Sequence, residues 1–189
     1  NLEEQDELGY TPLKSLIGNY PQLEDHSPAY NTKQWSFYFD LIKYLVAQGA
    51  NINAQDNTHG TPLKQAIYMN LIPVIKYLIQ QGAKVDYPDF WPAPRIAVEK
   101  GHLEALLLLL EAGGRFEYKM FELSRKRITD LGGVDYIDTS MTNYLKSYEF
   151  QKYLMKIQPW TITELKEYLH PEIKQEYQGL LTTQRIGII

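Results

Sequence analysis

Asp25-His26-Ser27 brings together the three side-chain types of a hydrolytic relay. A relay needs its groups to converge in space, and adjacent side chains project in different directions, so the string reads as coincidence. His59, His102 and His170 stand far apart, without the i, i+3 or i, i+4 spacing of helical metal ligands. The chain has no cysteine, which removes thiolate zinc sites, disulfides and a cysteine nucleophile. Gly113-Gly114 and Gly132-Gly133 lack the following Lys-Ser/Thr of a phosphate-cradling loop and read as helix ends. No pair of carboxylates stands out from a solvated surface. The expectation is a non-enzyme with no catalytic residue, no metal and no cofactor.

Composition narrows the partner classes. Of 189 residues, 44% are hydrophobic and 22% charged, with a net charge of −4. A strongly basic footprint is absent, which argues against nucleic acid. Lack of cysteine fits a reducing compartment, and cytosol is the expected location. The longest apolar run, Ala105 to Leu110, is far below the ~18 residues of a spanning helix, and the acidic N-terminus does not resemble a signal peptide, so no membrane insertion is expected. The sequence opens without methionine, partway into a repeat unit, as a fragment of a longer protein would.

The elements that would position any site are set by an internal repeat. Gly49-Ala50-Asn51-Ile52-Asn53 recurs 33 residues later as Gly82-Ala83-Lys84-Val85-Asp86, and Gly113-Gly114-Arg115-Phe116 follows after 31 more. Thr11-Pro12-Leu13-Lys14 matches Thr61-Pro62-Leu63-Lys64. Threonine can cap a helix whose first position is proline, where the missing N–H costs nothing. Glycine at 49, 82 and 113 supplies the left-handed backbone that stops one. Between these signals Ile42, Leu45 and Val46 correspond to Ile75, Leu78 and Ile79, then to Leu106, Leu109 and Leu110. That i, i+3, i+4 spacing makes one apolar stripe per helix, which no single helix pair can cover, so neighbouring units must stack.

These motifs resemble the ankyrin-repeat family. Asp6-Glu7-Leu8-Gly9-Tyr10-Thr11 is similar to its Asp-x-x-Gly-x-Thr lead-in, and Gly101-His102-Leu103-Glu104 to its mid-repeat turn, in which His102 would be structural. The resemblance covers residues 6–116 and implies an all-α solenoid of about three helix-turn-helix repeats with finger loops. Two departures stand out. The first repeat carries a 17-residue insertion, about 20–37, and the third has Pro92-Ala93-Pro94-Arg95 where Thr-Pro-Leu is expected. The expected organisation is repeats over 1–118 and a helical C-terminal cap over 119–189. In the latter, periodicity predicts helices at about Glu117–Asp130, Thr142–Gln158, Thr161–Leu169 and Pro171–Thr182.

The family resemblance also implies a binding surface, on the concave side formed by fingers and inner helices. Mapped onto this chain, the finger candidates are Asn57, Thr58 and His59, with Gly60 one place beyond the family's usual glycine, then Tyr87, Asp89, Phe90 and Trp91. The inner-helix candidates are Tyr68-Met69 and Glu99-Lys100. Phe90 and Trp91 either form an aromatic hot spot or fold back over the shortened finger. Lys14, Lys64 and Arg95 replace the family's histidine; they form a basic column that attracts an acidic stretch of a partner, or simply snorkel to solvent. The insertion, with Pro21, Pro28, Trp35, Phe37 and Tyr38, is either a further surface or an extension of the outer helix packed on the core. The function implied is non-catalytic binding of a protein or peptide; the alternatives are the targeting or regulatory arm of a larger enzyme, and a structural spacer without a ligand. Usage of Tyr, Ile, Lys, Asn and Gln fits an AT-rich genome, such as those of intracellular bacteria that place ankyrin proteins in the host cytosol.

Overall fold

A computed structural model describes residues 1–20, 28–86, 91–117, 120, 139–157 and 170–171. The described residues form eight helices and no strand. They are α1 (Pro12–Gly18), α2 (Pro28–Ala47), α3 (Pro62–Tyr68), α4 (Ile72–Gln80), α5 (Ala93–Lys100), α6 (Leu103–Glu111), α7 (Thr139–Lys146) and α8 (Tyr148–Ile157).

Helix starts follow the cap chemistry. The Thr11 and Thr61 side chains accept from the backbone N–H of Lys14 and Lys64, with proline opening the first turn of α1 and α3. The third repeat begins at Pro92 with no side-chain cap bond. Outer helices end alike. Gly49, Gly82 and Gly113 take φ of 90°, 87° and 89°, and donate to the carbonyls of Val46, Ile79 and Leu110. The residue after each glycine donates to Leu45, Leu78 or Leu109, completing a Schellman end. That residue is alanine in the first two repeats and Gly114 in the third. A Cβ at 114 would lie 2.8 Å from the Leu109 carbonyl oxygen and 3.0 Å from Pro94 Cγ, so the loss of Thr-Pro-Leu and the doubled glycine belong together.

The inner helices α1, α3 and α5 pack in that order, and each packs on its own outer helix α2, α4 or α6. Ile42, Ile75, Leu78, Leu106 and Leu109 are fully buried between layers, together with Leu13, Ile17, Leu63, Ile67 and Ala97. Leu45, Val46 and Ile79 flank that core half-buried. The fold is the expected all-α stack of repeats, its stripes hidden by neighbours as the hydrophobic argument requires.

Of the insertion, Tyr20 and the residues from Pro28 onward are described. From Pro28 it runs into a 20-residue α2, and its aromatic end packs on the first repeat. The buried Tyr20 ring meets Trp35 at 5.4 Å and Tyr38 at 5.8 Å, edge to face, and its hydroxyl donates to the Trp35 carbonyl. Phe37, by contrast, is exposed. Residues 21–27, with the Asp25-His26-Ser27 string, lie outside the described residues.

After the repeats, the helix expected over Thr142–Gln158 is instead two, α7 and α8, broken at Ser147. The Ser147 hydroxyl accepts from Phe150 N–H at 3.2 Å, capping α8, while Ser147 N–H closes a tight turn onto Tyr144. Phe150 sits against Phe116 at 5.6 Å and Tyr144 at 5.1 Å, and Leu145, Phe150 and Leu154 are buried. The buried Gln151 bridges the Leu145 carbonyl and the His170 N–H. The helices expected at 117–130, 161–169 and 171–182 fall outside the described residues apart from isolated positions.

Candidate binding groove

Two fingers precede α1 and α3, each closed by an aspartate. Asp6 Oδ1 accepts from the N–H of Leu8 and Tyr10; Asp56 Oδ1 accepts from Thr58 N–H, Thr58 hydroxyl and Gly60 N–H. Such side-chain turns hold a short loop without a strand partner. The fingers are stapled to each other by Asn57, whose backbone N–H donates to Leu8 O at 3.2 Å and whose amide donates to Glu7 O at 3.0 Å.

The displaced glycine has a physical reason. In the first finger Gly9 occupies the left-handed position, at φ 80°; in the second, His59 occupies it at φ 61°. Gly60 is needed for space instead, because a Cβ there would come within 2.7 Å of both Asp56 Oδ2 and Lys14 Nζ. Those two atoms form a buried ion pair joining α1 to the second finger, with the side chains 5% and 1% exposed. Burial pushes the Lys14 ammonium down to about 8, opposed by the Asp6 carboxylate and reinforced by the neighbouring Lys64 ammonium. Its Nζ also lies 4.0 Å from the centre of the Tyr10 ring.

Between the second finger and the ends of α3 and α5 lies a concave groove of about 460 Å³. Of the residues expected from sequence, Lys14, Thr58, His59, Lys64, Tyr68, Trp91, Glu99 and Lys100 line it. Tyr68 and Trp91 are large exposed side chains, 54% and 49% accessible. Each carries a cation on its ring: Lys100 Nζ sits 3.8 Å from the Tyr68 centroid, and the Arg95 guanidinium 4.2 Å from that of Trp91. Arg95 also pairs with Glu99 at 3.0 Å.

Other expected residues sit elsewhere. Asn57 is spent on the finger staple, and Met69 ends α3 half-buried against the core. Asp89 and Phe90, like Tyr87, lie outside the described residues. The basic column needs correction as well. Lys14, Lys64 and Arg95 do occupy successive inner helices, but Lys14 and Lys64 are buried instead of reaching to solvent. Lys14 is matched by Asp56 and Arg95 by Glu99, and Lys64 donates to the His59 carbonyl. Sequence reasoning did not pick out Tyr10, Asp56, Gln65 and Ile96, which also line the groove. Asp56 was findable, since Asp-x-Thr-x-Gly is a side-chain turn signal.

A family model described as ankyrin repeats (3 copies) matches residues 13–89 and 34–120, more than half of the chain. The chain belongs to the ankyrin-repeat family. A search of curated proteins finds no match. Ankyrin repeats are generally protein–protein interaction modules, which gives the groove between these repeats its interest. Among the described residues no helix is long and apolar enough to cross a membrane, and no cluster of three or more His, Asp or Glu could hold a metal ion.

Proposed function

We propose that this ankyrin module binds a protein or peptide segment in the concave groove between its second finger and the α3 and α5 ends, without catalysis or cofactor. The observation that carries the reading is the convergence of Tyr68 and Trp91. They come from different repeats, stay about half exposed, and line one cavity. Exposed aromatics cost free energy in water, and such side chains dominate binding hot spots. Around them Thr58, His59 and Gln65 supply polar groups that would set the register of a bound chain. Lys14 and Asn57 act indirectly, by fixing the finger that forms one wall.

In this reading α7 and α8 are the cap. Phe150 against Phe116 covers the open end of the third repeat, which an uncapped array would leave apolar. Capture of binding proteins on the wild-type chain, on Tyr68→Ala/Trp91→Ala, and on Tyr44→Ala tests the proposal. Tyr44 is an exposed aromatic on the outer helix α2. Proteins retained by wild type and Tyr44→Ala should be lost from the groove double variant; retention by all three would overturn the reading.

A further inference from the structure

The groove is electrostatically unlike the rest of the chain. Among the described residues that line it are three cations, Lys14, Lys64 and Lys100, and two carboxylates, Asp56 and Glu99, on a molecule of net charge −4. Lys14 and Asp56 match each other and Glu99 is taken by Arg95, so the positive excess rests on Lys64 and Lys100, of which the buried Lys64 donates to the His59 carbonyl. Lys100 differs from the buried lysines. It ends α5 at the groove wall, and its ammonium lies over the Tyr68 ring, which fixes its direction while leaving its N–H donors available to a ligand.

The aromatic rings point the same way. A cation already held on a ring repels a second cation approaching that ring, whereas an aliphatic group meets no such repulsion. Both Tyr68 and Trp91 are in this state, with Lys100 and Arg95 respectively. A ligand rich in Lys or Arg would meet like charge at both walls, and a purely apolar one would leave Lys100 desolvated.

Resting on the groove reading above, we infer that the occupant is an acidic peptide segment carrying one aliphatic anchor. A carboxylate is taken by Lys100 at the α5 end, and the anchor lies on the exposed faces of Tyr68 and Trp91. The chemistry differs from a simple basic column, because the recognising cation is on the groove wall and its direction is set by an aromatic ring.

The probes are fluorescein-labelled peptides with a central leucine flanked by glutamate, glutamine or lysine runs, titrated by fluorescence anisotropy at low and high salt. Wild type should bind the glutamate peptide about tenfold more tightly than the glutamine peptide, a difference that high salt erodes, and bind the lysine peptide weakest. Lys100→Glu should abolish the glutamate preference and Lys100→Gln reduce it. Lys76→Glu, on the outer helix α4, should leave it unchanged; far-UV circular dichroism confirms that each variant is folded. Equal binding of the glutamate and glutamine peptides, both weakened by Tyr68→Ala and Trp91→Ala, would overturn the acidic occupant and leave the groove reading standing. Failure of all three peptides to bind, or indifference to the aromatic variants, would remove both.

Discussion

Replacing Asp56 by asparagine should be among the most damaging single changes in the repeats, although the two side chains are nearly the same shape. Asparagine can still offer one oxygen to Thr58 and Gly60, but its NH2 then faces Lys14 Nζ, setting donor against donor. The lysine is only 4% exposed. Removing one partner of a buried pair costs about 3–5 kcal/mol. The low end applies here, ~3 kcal/mol, because an ammonium already held down to about 8 escapes part of the penalty by losing its proton. For a chain of this length that is a fall in Tm of about 6–12 °C. Urea unfolding at neutral pH, followed by far-UV circular dichroism, measures it. Adding Lys14→Met should recover much of the loss, since the stranded charge goes with it. An Asp56→Asn midpoint indistinguishable from wild type, or a double variant less stable than the single one, would refute the argument.

Two further outcomes follow from the same finger. As pH rises from about 8 to 10.5 the folded chain gives up the Lys14 proton before the unfolded chain does, so this group's contribution to stability increases across that window. Wild type should therefore gain on Lys14→Met/Asp56→Asn between mildly and strongly alkaline buffer, read as the gap between their urea midpoints. His59→Gly should stabilise the fold by about 1 kcal/mol, because it places glycine where the backbone sits at φ 61°; thermal unfolding checks the sign.

The repeat boundaries were legible because the signals that make them are local. Thr11 and Thr61 bond within three residues of themselves, and Gly49, Gly82 and Gly113 close onto the preceding turn. The concave candidates could be placed for the same reason, since Tyr68, Glu99 and Lys100 follow from their offset within a repeat. One misreading arose where a short-range alternative competed. Ser147 keeps a helical period on both sides yet spends its hydroxyl on a cap, so one expected helix became two. His59 stood in a glycine's place, and only the space required by the ion pair explains why glycine moved to 60.

From the linear order of residues alone came the period, the helix ends and the apolar stripes, because each depends on neighbours within a few turns of chain. Tertiary contact decided which charges are spent and which aromatics remain outside. Lys14 meets Asp56 across 42 residues of sequence, and that encounter buries and pairs a charge that its place in the repeat alone would leave open. Trp91 stays half exposed under Arg95 while Tyr20 is buried under Trp35, although both are aromatics just outside a helix. Burial is a property of what stacks alongside, and no spacing rule within one repeat contains it.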